Sequence, residues 1–232
     1  MQILWLIPQI LLPVIFWAGY HYYKDRHLPE PVGNLVFCFG LGIAAAGVSR
    51  LLYLGLGVVS LRFDALELAY SNLWGLFAYA VLVIGPVEEI AKSLPFLLFV
   101  LRFRAFDEPV DGIIYASFIA LGYATMESLH FLQFLTSLEA VARGFAGPLV
   151  HIMFASVWSY FIARAFLRGE RLPPVVVAAV ATAALLHGIY DFIVLAAPLS
   201  ALPLSALLIL LIWVWRMLLI RRLHRKAGHI QH

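Results

Sequence analysis

Four short stretches of this sequence carry ionisable side chains inside apolar runs: EEIAK at 88–92, GYATMESL at 122–129, GPLVHIMF at 147–154 and HGIYD at 187–191. They supply Glu88, Glu89, Lys92, Glu127, His151, His187 and Asp191, and two further groups, Arg50 and His130, lie in comparable surroundings. An ionisable group at mid-bilayer costs at least about 2.5–3.5 kcal/mol, so each calls for a function or a partner. Two adjacent carboxylates in a low-dielectric site cannot both ionise easily, and such a pair can hold and deliver a proton. Glu88 and Lys92 are four apart and Glu89 and Lys92 three apart, so one ammonium can lie against either carboxylate. Histidines can shuttle a proton or bind a developing oxyanion, and Asp191, one turn after His187, can fix the tautomer of a neighbouring imidazole. Peptide-bond hydrolysis fits this inventory. No Ser or Cys stands in a recognisable nucleophile context, which favours activated water over a covalent intermediate.

The elements that must position these groups follow from composition. Of the 232 residues 63% are hydrophobic and 12% charged, with a mean hydropathy of +0.94. A soluble domain runs at roughly 45–50% apolar and about 25% charged, so the chain reads as an integral membrane protein. At about 20 residues per crossing, the expected fold is an all-α polytopic bundle, a single transmembrane domain over 1–232 with the motifs in a core at 70–195. Apolar runs suggest seven spans, at 2–20, 33–57, 72–101, 111–134, 148–167, 173–197 and 203–220. The first lacks a basic n-region and a small-residue cleavage site, and it reads as a retained helix.

The basic residues divide by side. Lys24, Arg26, Arg102, Arg104, Arg164, Arg168, Arg171, Arg216, Arg221, Arg222, Arg225 and Lys226 follow spans one, three, five and seven, whereas Arg62 and Arg143 stand on the opposite face. The positive-inside rule then puts the amino terminus outside and the carboxyl terminus in the cytoplasm of a multi-pass cell-membrane protein. The net charge of +3 is thereby a matter of orientation in the bilayer and gives no reason to expect nucleic acid. In this topology Glu88, Glu89, Glu127, His151, His187 and Asp191 share the outer half of the membrane, His151 at the outer start of its span. Pro86 and Pro95 bracket the glutamate pair, and each is expected to disturb the helix near the residue four earlier.

Other polar residues have structural readings. Lys92 balances charge. His130 makes a polar contact at its helix end, and its Glu-x-x-His spacing from Glu127 occurs once, which argues against a di-iron bundle. Arg50 pairs with an acid or snorkels outward. Asp64 and Glu67 have capping-box spacing, Asp111 suits a helix start, and the lone Cys38 packs in an apolar run. The final RRLHRKAGH reads as an anchor near anionic lipid, and Trp and Tyr near span ends as an interfacial belt.

The four motifs resemble the PrsW family of intramembrane proteases, related to the CAAX prenyl endopeptidases. The family pattern is EExxK, a glutamate after a Gly-aromatic-Ala stretch, a histidine, and a late HxxxD. EPVDGIIY at 108–115 also looks like the family, and Ser128 stands where an Asn often follows the family glutamate. The resemblance covers roughly residues 70–195. It implies cleavage of a membrane protein or peptide within or just outside the bilayer, with site-1 cleavage of an anti-sigma factor as one family role. The catalytic set it carries over is Glu88, Glu89, Glu127, His151, His187 and Asp191, supported by Lys92.

Two histidines with carboxylates could also hold a catalytic zinc with an open water position. HExxH is missing and the ligands are spread over four spans, so the sequence favours metal-free glutamate catalysis with no cofactor. Within the class, the alternative is a CAAX-type or bacteriocin-processing endopeptidase. Outside it stand a proton-coupled transporter, disfavoured because no repeated halves are found, and a scaffold without turnover.

Overall fold

In a computed structural model the described residues are 2–24, 29–131, 136–196 and 202–230. They are helical apart from short turns: α1 (Gln2–Lys24), α2 (Val32–Val58), α3 (Ala65–Ser71), α4 (Leu73–Tyr79), a π-helical turn (Ala80–Ile84), α5 (Gly85–Leu98), a 3-10 turn (Val100–Arg102), α6 (Pro109–Phe131), α7 (Ser137–Leu167), α8 (Leu172–Ala196) and α9 (Leu202–Ile230). Among the described residues six helical stretches, beginning at Val32, Leu73, Pro109, Leu138, Leu172 and Leu202, are long and apolar enough to cross a membrane. The remaining expected span is α1, a 23-residue helix packed on α6 and α7.

The centre of the bundle is α6. Every residue from Val110 to Ala124 is buried, as suits a helix apolar all round. It packs chiefly on α7 and α2. Against α2 the backbones meet through two glycines: a Cβ on Gly42 would stand 2.0 Å from Ile119 O, and one on Gly122 would stand 2.1 Å from Phe39 O. Small residues permit this approach in a membrane, where close packing takes over from the hydrophobic effect.

Two expected spans differ in outline. The run at 72–101 is four pieces, α4, the π turn, α5 and the start of the 3-10 turn; the helix widens at the π turn because Pro86 has no N–H to offer the carbonyl four residues back. Pro95, by contrast, lies inside α5 without ending it. The span expected from 148 begins eleven residues earlier: Thr136 and Glu139 form a reciprocal capping box, and α7 continues through Pro148. His151 is therefore in mid-helix and buried, and it does not sit at the helix's start.

Among the structural residues, Asp64 caps α3 through the N–H groups of Leu66 and Glu67. Asp111 accepts from the N–H groups of Asp107 and Glu108 at the start of α6. Cys38 is buried in the core. Arg50 is exposed on α2 with no ion pair among the described residues, which fits the snorkelling alternative. Arg216 is not an exposed charge: it is buried, donating to His21 Nδ1 at 3.1 Å and Ser117 Oγ at 3.0 Å, and it ties α9 to α1 and α6.

A turn at each end of the bundle reverses the chain. After α2, Leu61 N–H bonds back to Leu56 O with Ser60 in the left-handed region at φ 57°, and after α7, Glu170 N–H bonds to Ala165 O with Gly169 at φ 67°. Both have the 6→1 bond of a Schellman motif, and glycine holds that conformation without the Cβ penalty that Ser60 carries.

Candidate active site

The π turn and α5 press closely on α8. A Cβ on Gly85 would stand 2.1 Å from Ala184 O, and one on Gly188 would stand 2.5 Å from Ala80 O. That approach brings EEIAK onto HGIYD. Glu89, wholly buried, accepts at Oε1 from Lys92 Nζ at 2.6 Å and from His187 Nδ1 at 2.7 Å, and at Oε2 from the indole N–H of Trp158 at 2.9 Å. Of the two carboxylates within helical reach of Lys92, the ammonium chooses Glu89.

Lys92 also lies 3.1 Å from His151 Nδ1 and 5.0 Å from the centre of the Tyr123 ring. Tyr123 in turn donates to Ser49 Oγ at 2.9 Å, fixing its ring between α2 and the site. The other nitrogen of His151, Nε2, is 2.7 Å from Glu127 Oε2, and Glu127 Oε1 is 3.1 Å from Arg143. Phe154 stacks on His187 with ring centres 4.7 Å apart.

Carboxylates only accept, so Glu89 and Glu127 require His187 Nδ1 and His151 Nε2 to carry protons. In neutral imidazoles the lone pairs then lie on His187 Nε2 and His151 Nδ1. Both nitrogens stand at the same distance from one carboxylate oxygen. Glu88 Oε2 is 3.8 Å from each of them, is buried, and has no hydrogen-bond partner among the described residues. Asp191 Oδ2 is 3.6 Å from His187 Nε2, beyond hydrogen-bond range, so the tautomer of His187 is fixed by Glu89 and not by Asp191. Glu127 and Asp191, with side chains 26% and 21% exposed, form the rim, and the other acids and both histidines lie deeper.

All seven expected groups, Glu88, Glu89, Lys92, Glu127, His151, His187 and Asp191, are thus brought together. His130 lies exposed at the end of α6, edge-on to Phe131. Sequence reasoning missed Trp158 and gave Arg143 only a topological role. Their signal was helical: Arg143, His151 and Trp158 are eight and seven residues apart, one stripe of α7.

Glu88, His151 and His187 each offer one ligand atom, all within 4.8 Å of one another. Ligands of a tetrahedral zinc at about 2.0–2.1 Å lie about 3.4 Å apart, so the two 3.8 Å separations from Glu88 need only a small contraction, and the third lies within 4.8 Å. Each imidazole is also backed by a carboxylate on its other nitrogen, the usual support of a metal-binding histidine. The family model described as PrsW family intramembrane metalloprotease matches residues 30–219.

The chain belongs to that family. Protease PrsW of Clostridioides difficile (strain 630) is 29% identical over 209 residues, covering 88% of this chain and 84% of the relative. Protease PrsW of Geobacillus kaustophilus (strain HTA426) is 27% identical over 192 residues, 82% of this chain and 80% of the relative. Protease PrsW of Bacillus subtilis (strain 168) is 27% identical over 188 residues, 80% of this chain and 81% of the relative. No solved structure matches. The family match and the six apolar helices make this a multi-pass cell-membrane peptidase of the PrsW family, a hydrolase acting on membrane protein substrate.

Proposed function

We propose that hydrolysis takes place at the gap between Glu88 Oε2, His151 Nδ1 and His187 Nε2, and that a divalent metal is held there by these three residues. The carrying observation is the unpartnered Glu88 oxygen at 3.8 Å from both lone-pair nitrogens. When bound, such a metal polarises a carbonyl and makes its water acidic.

The chain's own groups do the rest. Glu89 and Glu127 orient the two imidazoles, and Lys92 and Trp158 hold Glu89. Glu89, with three donors on its two oxygens, is a positioning residue in this scheme. Asp191, at the rim beside the gap, takes the proton released as water attacks the scissile carbonyl carbon. It returns that proton to the amide nitrogen as the C–N bond breaks.

The metal-free mechanism favoured by sequence is the second reading, and one contact supports it: Lys92 Nζ at 3.1 Å from His151 Nδ1 occupies the lone pair a metal would use. There Glu88 itself takes the proton of a water lying between the histidines. The amino-out orientation, and with it an opening of the site to the outer side, is part of the proposal and rests on the charge distribution.

The test is cleavage of a panel of single-span membrane peptides, anti-sigma-type sequences among them, by purified protein in detergent, with and without a zinc chelator. Loss on chelation with recovery on added zinc supports the metal reading. Cleavage indifferent to chelation but lost in Glu88→Gln supports the second, and cleavage indifferent to both sinks the site.

A further inference from the structure

The connections at the two ends of the bundle differ in kind. The turns at 102–108 and 168–171 carry Arg102, Arg104, Asp107, Glu108, Arg168, Glu170 and Arg171, as chain in water should. At Glu108, partial burial and the neighbouring Asp111 push the carboxyl upward in pKa. The connection from α2 to α4, with the first turn of α4, instead presents Val59, Leu61, Phe63, Leu66, Tyr70 and Trp74, each between 51% and 92% exposed. Every residue of α3 is at least partly exposed, so no core claims this helix.

An isolated exposed Leu needs no explanation, but six large apolar side chains within sixteen residues do. The flanking helices are membrane spans, so the connection lies at the membrane surface. The turn at Ser60 folds the chain back as α2 ends, and Asp64 closes α3 with a local cap. Aromatic and aliphatic side chains mixed with a few charges, here Arg62, Asp64 and Glu67, suit the boundary between headgroups and acyl chains.

We infer that residues 58–74 form a lip lying in the lipid interface at the mouth of the active site, with the headgroup–acyl boundary as its partner. Its α3 packs on α8, and two ring contacts link it there through α4. Phe63 packs edge-on to Tyr79 at 5.6 Å, and Phe77 packs edge-on to Phe192 at 5.2 Å, one residue after the rim group Asp191. The lip therefore hangs on the same end of α8 as the rim. Resting on the proteolytic reading above, its consequence is that the site takes a juxtamembrane segment already lying in the interface, in preference to one arriving from bulk water.

The experiment has two arms. Nitroxides at Leu66→Cys and Tyr70→Cys, in full-length protein with Cys38→Ala, are compared with Glu170→Cys in phosphatidylethanolamine–phosphatidylglycerol vesicles. Collisions dominated by oxygen at 66 and 70, and by a water-soluble nickel chelate at 170, are expected; nickel-dominated collisions at all three overturn the inference. In the second arm, Leu66→Asp with Tyr70→Asp raises KM for a bilayer-embedded single-span peptide about tenfold or more, leaves its kcat in place, and leaves cleavage of a detergent-solubilised peptide unchanged. Equal loss on both substrates overturns the lip's role. If wild type cuts neither peptide, the proteolytic reading and the role resting on it fail together, while the collision measurement still decides where the lip lies.

Discussion

Lys92 Nζ and Glu89 Oε1 stand 2.6 Å apart with both side chains fully buried, while Glu88, adjacent in sequence, leaves one buried oxygen without a partner. The two glutamates should therefore fail differently. Glu89→Gln leaves a buried ammonium without its counter-ion and is expected to cost about 3–5 kcal/mol of stability along with activity. Glu88→Gln should unfold near wild type yet lose kcat on the order of 10²–10⁴-fold. Thermal unfolding in detergent beside single-turnover cleavage separates them, and matching stability losses would refute the division of roles.

Metal content gives a check independent of turnover. Purified wild type should carry close to one divalent ion per chain by elemental analysis. His151→Ala and His187→Ala should carry far less, and Glu127→Ala should bind about 10–100-fold more weakly because its carboxylate only orients His151. Equal, negligible content in all four proteins would leave the metal-free reading standing.

Trp158 provides a cleaner perturbation of Glu89. Phenylalanine retains an aromatic ring against Phe96 but removes the indole N–H, so Glu89 Oε2 loses its donor at 2.9 Å. About 1–3 kcal/mol of destabilisation is expected, with reduced cleavage. A Trp158→Phe protein that melts and cuts like wild type would show that the indole only fills space.

The contact between the π turn and α8 can be tested by adding one methyl group. In Gly188→Ala the new carbon would meet Ala80 O at 2.5 Å, forcing α8 away from α5. A loss of about 1–3 kcal/mol is expected. Activity should fall further than stability, because separating these helices parts His187 from Glu89 and Glu88. Gly33→Ala, whose added carbon meets nothing within 4 Å, is the control.

The site was legible in sequence because charge is conspicuous in an apolar background: Glu88, Glu89, Lys92, Glu127, His151, His187 and Asp191 announce themselves by residue type. What they do to one another was not. Helical spacing allowed Lys92 to meet either glutamate, and His187 to lean on Asp191 one turn away. The partners are decided by contacts across helices, Glu89 with Trp158 and His187, that no local period encodes. Arg143 and the start of α7 were obscured by a shared cause: Glu139, Arg143 and Pro148 lower the apolarity of 137–148, although a capping box and an amphipathic stripe keep that stretch helical. The burial of Arg216 was hidden because its neighbours His21 and Ser117 come from the opposite end and the middle of the chain.

The separation of the partners along the chain also sets an order of events at synthesis. Glu89 meets Lys92 within its own helix, but His151 and His187 lie 59 residues beyond Lys92 and 98 beyond Glu89, respectively. At about 5–20 residues per second, α5 is made roughly 5–20 s before the last histidine that will complete its polar surface. During that interval a helix with two acids and a lysine has no finished bundle to enter. Until then Lys92 is the partner of Glu89 within the helix, and α2 and α6 are the packing neighbours already made or being made.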